Sequence, residues 1–355
     1  MRIDLFDLDL PERLIALRPL AERDGSRMLV VRPSGIQDAH FRDLSSILSP
    51  KDIVVVNNTR VVPVALSGHR PGRGDAAPAV SIDVTLIRRL RENRWSALAK
   101  PARRLSVGDR IRFAPTVWAR VDRVAGAGEI ELAFETGERP LEQVLPKIGK
   151  MPLPPYILKY READARDGSD YQTVFAAHEG AIAAPTAGLH FSEDTLGALR
   201  ARGVAVAEVT LHVGAGTFLP VRVSDTDDHR MHPEWGSVSA EAAKAINRAK
   251  EAGGRVVAIG TTSLRLMESA ATGTGTLAPF SGETDLFITP GYRFRVVDLL
   301  LTNFHLPRST LFMLVAAFAG LNTMKTAYAH AIAEEYRFYS YGDASLLFRH
   351  DICDG

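Results

Sequence analysis

Three histidines, each at or just after the end of an apolar run typical of a buried strand, could exchange protons near neutral pH. His190, His212 and His305 lie in the segments PTAGLHF, HVGAGTF and TNFHLPRS. An imidazole can act as a general acid or base, or it can hydrogen-bond a ligand. Loops at the carboxyl ends of neighbouring strands meet at one edge of a sheet, so the three histidines can converge although the chain separates them widely.

Two other interpretations of these histidines stay open. Three imidazoles could bind zinc, but the segments contain neither a histidine pair at i and i+4 nor an acid directly beside a histidine, so we expect no metal site. Each histidine could instead be a structural residue that only hydrogen-bonds its neighbours. The single cysteine, Cys353, excludes both an internal disulfide and a metal cage built from cysteines.

Three further segments could bind a ligand. The run VGAGT resembles a nucleotide-binding glycine loop, but no helix follows it, so its glycines would rather allow close approach of backbone to a ligand. The run GTTS opens a predicted helix and offers N–H groups to an anion, although an ordinary helix N-cap explains it nearly as well. The run YRFYSYGD suits stacking on bases, and core packing is the alternative.

The elements that must position these segments follow a rhythm of strand, polar loop and helix. Helices are predicted after the N-cap residues Ser192, Ser239 and Ser309. Nearer the N-terminus, we predict a helix at Pro11, a strand after the turn RDGSR and a buried strand over 52–56. This alternation predicts a mainly parallel sheet. The predicted strands before the four loops are Ala181–Ala184, Val204–Leu211, Arg255–Ile259 and Val296–Leu301.

The sequence pattern changes between about residues 61 and 151. Five short runs of alternating apolar and polar residues, separated by turn signals, predict a small antiparallel barrel or sandwich there. From Arg60 to Arg123 there are fourteen basic and five acidic residues, a net charge of +9 in a chain whose total is +1. Such asymmetry favours a segment that meets phosphates, and a solvated basic surface is the alternative.

Composition points to a cytoplasmic protein. Hydrophobic residues make up 46% and charged residues 24% of the 355, which is ordinary for a folded chain. The N-terminal segment MRIDLFDLDLPERL carries acids where an export signal needs an apolar core, and no apolar run reaches the roughly 18 residues of a membrane span. We therefore expect no membrane partner.

Taken together and in order, PTAGLHF, TLHVGAGTF, GTTS followed by Arg265, TNFHLPRSTL and YRFYSYGDA resemble the S-adenosylmethionine:tRNA ribosyltransferase-isomerase family of queuosine biosynthesis. The segments FDLDLPERLIA, RDGSR, NNTRVVP and PLPPYI resemble it too, so the resemblance covers essentially the whole chain. It implies an α/β fold, with a barrel-like, mainly parallel sheet domain (1–60 and 152–355) and an inserted small antiparallel β-barrel (61–151).

The resemblance also implies the reaction. The family transfers the ribosyl part of S-adenosylmethionine to 7-aminomethyl-7-deazaguanine at the wobble position of tRNA and isomerises it, giving epoxyqueuosine, adenine and methionine. Its substrates are the tRNAs for tyrosine, histidine, asparagine and aspartate. For this chain we expect a monomer that needs no metal.

Site residues follow as hypotheses. Acid and base roles fall among His190, His212 and His305, in an order left open. The S-adenosylmethionine group comprises Thr186, Gly188, Gly214, Gly216, Thr217, Thr261, Thr262, Ser263 and Asn303. The group at the base or ribose comprises Arg265, Arg337, Tyr341 and Asp343, and the RNA-backbone group comprises Arg60, Arg88, Arg89, Arg103 and Arg104.

The chain departs from the family pattern at Asn58, at Val64 with Ala65, and at Lys159, which puts in doubt contacts assigned to those side chains. An S-adenosylmethionine-dependent RNA methyltransferase is the alternative enzyme, against which the missing helix after the glycines speaks. A non-catalytic RNA-binding protein is the alternative outside enzymes. The histidines in three loops speak against it, because a pure binder needs only the basic segment.

Overall fold

The computed structural model describes residues 1–73, 78–218, 221 and 223–351, without the side chains of Thr217 and Phe218. Cys353 therefore lies outside the described residues. Internal contacts divide the chain into a larger unit, Met1–Arg60 with Asp170–Gly355, and a smaller unit, Val61–Ser169. The sequence predicts the return to the larger domain at 152, and those domain bounds stay a prediction.

The strands, in chain order, are β1 (Arg27–Arg32), β2 (Gly35–His40), β3 (Ile53–Asn57), β4 (Thr59–Val61), β5 (Ala65–Arg70), β6 (Val80–Arg91), β7 (Arg94–Lys100), β8 (Arg110–Ala114), β9 (Val117–Val124), β10 (Glu129–Glu135), β11 (His178–Ala181), β12 (Ala205–Leu211), β13 (Glu234–Val238), β14 (Val256–Ile259), β15 (Phe280–Thr284), β16 (Leu299–Asn303) and β17 (Ala344–Phe348).

The helices are α1 (Leu44–Ile47), α2 (Leu141–Ile148), α3 (Pro155–Leu158), α4 (Asp167–Asp170), α5 (Glu193–Ala201), α6 (Ala240–Glu251), α7 (Gly260–Ala270), α8 (Thr310–Ala319) and α9 (Leu321–Ala333). Over the ranges given above, no single helix has both the length and the apolar character needed to cross a membrane. Helices α8 and α9 have the required length and apolar character only when they are taken together, and the two helices are bent by 111° relative to each other.

The larger unit is built on a nine-stranded mixed sheet in the order β15-β13-β12-β3-β14-β16-β17-β1-β2. Strands β12, β3, β14 and β16 are mutually parallel neighbours. Every residue of β3, β14 and β16 is buried, as expected for parallel strands covered on both faces. The edge strand β2 is mostly exposed and carries Gln37 and Asp38, which disfavour pairing with another sheet edge.

The smaller unit contains a closed antiparallel barrel in the order β10-β7-β6-β5-β8-β9. Its strands alternate as a small barrel requires, because one side chain in two points into the interior. In β6, Ile82, Val84 and Leu86 are buried. In β10, the buried side chains are those of Ile130, Leu132 and Phe134. The predicted fold class, an α/β sheet domain with an inserted antiparallel barrel, is confirmed.

The three predicted N-caps are confirmed: the hydroxyls of Ser192, Ser239 and Ser309 accept the backbone N–H groups that open α5, α6 and α8. Two element predictions are wrong. The segment after Pro11 forms only a short 3-10 turn, Glu12–Leu14. The strand predicted over Ala181–Ala184 ends at Ala181, because the following residues leave the ladder and lead into the 3-10 turn Thr186–His190.

Candidate active site

The candidate site lies at the carboxyl ends of the four parallel strands. Strand β12 leads into His212, β3 ends at Asn57, β14 leads into Gly260 at the start of α7, and β16 ends at Asn303. Since parallel neighbours end at the same edge of the sheet, the polar loops predicted from the sequence meet there. The Asn57 amide joins two of these loops, as it donates to the Leu211 carbonyl at 2.9 Å and to the Thr262 hydroxyl at 3.4 Å.

His190 reaches the end of β16 through a chain of buried hydrogen bonds. The Thr186 hydroxyl donates to Asn303 Oδ1 at 2.9 Å, and Asn303 Nδ2 lies 3.1 Å from His190 Nε2. On the other side of the ring, His190 Nδ1 lies 2.8 Å from the Ser26 hydroxyl. The ring also stacks on Phe41, with centroids 5.2 Å apart. Two predicted ligand residues, Thr186 and Asn303, therefore hold a predicted catalytic one.

This arrangement selects one form of the His190 imidazole. An amide N–H facing Nε2 requires that nitrogen to accept, which leaves the proton on Nδ1, where it is donated to Ser26. Burial, with a smaller repulsion from Arg337, lowers the pKa of His190 to about 3. His190 is therefore a neutral, fixed hydrogen-bonding group at physiological pH.

A pocket beside His190 brings together three residues predicted for the site. His190, Arg337 and Tyr341 line it together with Arg23, Ser26 and Ser340. The Arg337 guanidinium donates one N–H to the Arg18 carbonyl, while its second terminal nitrogen is buried and has no hydrogen-bond partner within the described chain. The pocket therefore offers a cation, an imidazole and hydroxyls to a polar ligand.

Asp343 shapes this pocket without lining it. Its carboxylate is buried and accepts the backbone N–H groups of Arg337 at 2.8 Å and Arg27 at 3.1 Å. The Tyr341 ring meets Tyr171 edge to face at 6.0 Å. Asp343 thus fixes the loop that carries Arg337 and Tyr341, a role that the motif YRFYSYGD alone could not distinguish from ligand binding.

His212 occupies a different part of the edge. Its Nδ1 lies 2.8 Å from the Thr59 hydroxyl, and its ring stacks on Trp235 with centroids 5.3 Å apart and planes at 21°. No partner for Nε2 occurs among the residues described. Burial, with a smaller repulsion from His178, lowers the pKa of His212. Unlike His190 and His305, His212 is only half-buried.

His305 lies two residues after the end of β16, where two hydrogen bonds hold it. Its Nε2 lies 2.9 Å from the Thr302 hydroxyl, and its backbone N–H donates to the Tyr328 oxygen at 2.7 Å. Burial lowers the pKa of His305 to about 3, so this imidazole is also neutral. Thr302 precedes Asn303 on β16, so consecutive residues of one strand support His305 and His190.

A buried ion pair lies under the glycine loop. Glu234 accepts the Gly214 N–H at 2.9 Å and forms an ion pair with Arg265, both side chains being about 5% exposed. Arg265, predicted to contact the substrate, is therefore occupied with Glu234. A side chain at Gly216 would meet the His232 ring, and one at Gly188 would meet Thr173, so neighbouring side chains account for both glycines.

The remaining predicted ligand residues lie at the loop and at the start of α7. Thr217 belongs to the 3-10 turn Ala215–Phe218, and its side chain is outside the described part of the chain. Thr261 is buried, Thr262 contacts Asn57, and the Ser263 hydroxyl donates to the Ile259 carbonyl at 2.9 Å. Of these hydroxyls, that of Ser263 is occupied by backbone.

The predicted RNA-binding arginines differ in their partners. Arg88, Arg103 and Arg104 are exposed and have no carboxylate partner in the described ranges. Arg89 pairs with Glu142 at 3.1 Å, and Arg60, in the larger unit, lies 4.0 Å from Glu179. Only the first three are thus exposed cations without a protein counter-charge.

The structure adds residues that the sequence did not single out: Ser26, Phe41, Thr59, Glu234 and Trp235. Ser26 and Thr59 lie in the polar segments RDGSR and NNTR, and that polarity is the only signal in the sequence that could have pointed to them. Over the described ranges, no group of three or more His, Cys, Asp or Glu side chains is placed to hold a metal ion.

Comparison with known proteins gives a consistent result. A family model described as queuosine biosynthesis protein matches residues 3–347. A relative from Rhodopseudomonas palustris (strain TIE-1), named S-adenosylmethionine:tRNA ribosyltransferase-isomerase, is 58% identical over 99% of both chains. One of the same name from Afipia carboxidovorans is 57% identical over 98% of both. The crystal structure of an S-adenosylmethionine tRNA ribosyltransferase from Thermotoga maritima matches with a TM-score of 0.53 and 32% identity, covering 96% of this chain and 99% of that one.

Proposed function

Because the chain belongs to the queuosine biosynthesis protein family and is an enzyme, we propose that it transfers the ribosyl part of S-adenosylmethionine to 7-aminomethyl-7-deazaguanine at the wobble position of tRNA. Isomerisation of that ribosyl group would give epoxyqueuosine, with release of adenine and methionine. The tRNAs would be those for tyrosine, histidine, asparagine and aspartate. The enzyme would act as a cytoplasmic monomer without a metal or a membrane partner.

The match to the queuosine biosynthesis family carries this proposal, and the side chains of His190, Arg337 and Tyr341, which line one pocket, are the polar groups that would meet the base. A flipped wobble base needs a small polar pocket that reads its edge by hydrogen bonds and closes on it with aromatic side chains. The partnerless nitrogen of Arg337 would donate to an oxygen of the base or ribose. His190, fixed as a neutral imidazole, would orient the same ligand.

Proton transfer is better suited to His212. The sulfonium acidifies the adjacent C5′ hydrogens, so the reaction needs a base, and adenine leaves more readily when protonated, so it needs an acid. Both ring nitrogens of His190 are bonded, whereas Nε2 of the half-buried His212 has no partner in the described part of the protein. We therefore assign the main acid–base role to His212, and supporting roles to His190 and His305.

S-adenosylmethionine would lie along the strand ends between these histidines. Thr186 and Asn303 border one end of this edge, and Gly214, Gly216 and the Gly260–Ser263 turn border the other. The N-terminus of α7 would favour the methionyl carboxylate. Arg88, Arg103 and Arg104 would contact the RNA backbone from the smaller unit, so tRNA affinity should fall steeply with salt.

The test is a product analysis. The purified protein is incubated with S-adenosylmethionine and an anticodon stem-loop carrying 7-aminomethyl-7-deazaguanine, and adenine and RNA mass are followed by mass spectrometry. Adenine release matched by a ribosyl-sized gain in RNA mass supports the proposal. A methyl-sized gain with S-adenosylhomocysteine would instead make the protein a methyltransferase. RNA binding without turnover would leave a binding protein.

A stem-loop with unmodified guanine at the wobble position is the matched control. It lacks the aminomethyl nucleophile, so no ribosyl gain is expected with it. An Arg337→Gln variant should raise the KM for the stem-loop more than it lowers kcat, because Arg337 is proposed to bind rather than to transfer protons.

A further inference from the structure

Trp235 forms the outer layer of a stack at the glycine-loop end of the site. The indole lies on the His212 ring, with centroids 5.3 Å apart, and still exposes 42% of its surface. On the opposite side of His212, a Cβ built at Gly180 would lie 2.8 to 2.9 Å from three atoms of the imidazole. The imidazole is therefore held between backbone and indole, and the indole is the layer that meets solvent.

The backbone beneath this stack is held on both sides by hydrogen bonds of the sheet. Trp235 belongs to β13, which lies between β12 and β15 in the sheet, and its backbone carbonyl accepts the His212 N–H at 2.9 Å. The preceding residue, Glu234, is fixed by Arg265 and Gly214. An exposed aromatic ring whose backbone is already fixed loses little conformational freedom when a ligand binds to it. Pre-organised rings of this kind are typical of ligand contacts.

We propose that Trp235 is the stacking surface for the adenine ring of S-adenosylmethionine. This inference rests on the proposed function and specifies where its donor binds. A purine stacks readily on an indole, whatever its hydrogen-bonding edge. Trp235 directly follows Glu234, which anchors the glycine loop, so adenine here would leave the rest of the donor near Gly214 and the start of α7.

Charge favours the donor over an RNA base at this position. Glu283 lies opposite Trp235 on β15, is exposed, and has no ion-pair partner in the part of the larger unit that is described. A carboxylate disfavours the phosphates that flank a nucleobase in RNA, but it suits a molecule that carries a sulfonium.

Two substitutions separate stacking from simple cover of His212. Trp235→Phe keeps an aromatic face, whereas Trp235→Leu keeps apolar cover but cannot stack. Without turnover, Kd values are measured for S-adenosylmethionine by equilibrium dialysis and for the stem-loop by anisotropy. We expect Trp235→Leu to raise the Kd for S-adenosylmethionine about tenfold and Trp235→Phe to raise it less than about threefold, with the Kd for RNA unchanged. Tyr160→Leu, a substitution at an aromatic residue that is also 42% exposed but lies in the smaller unit, is the control and should change neither Kd.

Fluorescence gives an independent signal. The chain has three tryptophans, and the other two, Trp95 and Trp118, belong to the smaller unit. S-adenosylmethionine should quench emission of the wild-type protein, and the quenching should vanish in Trp235→Phe although that variant still binds. A weaker affinity for RNA alone, an equal loss for both ligands, or no loss for either would overturn the assignment. A wild-type protein that fails to bind S-adenosylmethionine would contradict the proposed function itself.

Discussion

In the larger unit, His190, Asn303 and Glu234 are buried and each is bonded to a named partner, whereas in the smaller unit Arg88, Arg103 and Arg104 point into solvent without a counter-charge. Buried polar groups must be hydrogen-bonded to be tolerated, so they are fixed in place. Exposed cations keep their hydration and their freedom, and they act through charge. The first arrangement suits orientation of reacting groups, and the second suits attraction of a polyanion.

The largest expected effect comes from His212. His212→Ala should lower kcat by about 10² to 10⁴-fold, because it removes the proposed proton-transfer group, while affinity for the stem-loop should hold. His330→Ala is the control, since His330 is a surface residue bonded to Asp38. Single-turnover assays with saturating RNA measure the rate of the chemical step for both variants, and anisotropy titrations measure their affinity for the stem-loop. A His212→Ala enzyme with near wild-type kcat would remove His212 from the chemistry.

Asn303→Asp tests the fixed imidazole next. It replaces the N–H that faces His190 Nε2 by a carboxylate oxygen, which should raise the pKa of His190 and move its proton to Nε2. We expect kcat to fall roughly a hundredfold and the pH profile to change shape. Thr186→Val, which only removes the donor to Asn303, should have a smaller effect. An unchanged pH profile in Asn303→Asp would argue against a positioning role.

Stability should depend on pH through the two buried histidines. The folded pKa of His190 and of His305 is about 3, below the value of about 6.5 in the unfolded chain, so folding favours the neutral forms. Their contribution is complete above pH 6.5 and is lost progressively as pH falls from there toward 3. Between pH 6.5 and 5, urea unfolding should show a loss of about 2 kcal/mol per histidine.

Substitution of one of the two buried histidines sharpens this prediction. His190→Gln should remove the contribution of His190 to this pH dependence, about 2 kcal/mol between pH 6.5 and 5, and leave that of His305 in place. Equal slopes in wild type and His190→Gln would mean that His190 is protonated in the folded protein.

The smallest effect is expected in the smaller unit. The double variant Arg103→Gln/Arg104→Gln should weaken stem-loop binding about tenfold at low salt and reduce the salt dependence by about two charges, with kcat unchanged. Arg110→Gln/Arg123→Gln is the matched control, because those arginines are paired with Glu135 and Glu131. Equal losses in both variants would indicate a general charge effect rather than contacts at 103 and 104.

Much of the fold was predictable because its signals are local. Apolar runs gave β3, β14 and β16, a serine before a helical period gave three N-caps, and alternation gave the barrel. The strand β13 was missed, because EWGSV has neither a clear alternation nor an apolar run. The helix predicted at Pro11 was wrong, because only Glu12–Leu14 form a 3-10 turn before Leu14 and Ile15 pair with Phe338.

The site was predictable only as a set of loops. Its internal order depends on contacts that no local pattern encodes: Ser26 is 164 residues from His190, and Asn303 is 113 residues from it. Asn58 illustrates the same limit. It departs from the family pattern, but its amide donates to Glu208 at 2.9 Å, which the carboxylate expected at that position could not do. Only the folded chain shows that pairing.

The most direct test of the contrast between fixed and free polar groups is the protonation of His190 itself. Ring nitrogen NMR of the protein labelled at histidine, with His190→Gln used for assignment, reports tautomer and charge at pH 7 and 5. We predict a neutral ring with its proton on Nδ1 and no titration over that interval. A proton on Nε2, or an imidazolium that forms above pH 5, would contradict the hydrogen-bond network of Ser26, His190 and Asn303 and the positioning role assigned to His190.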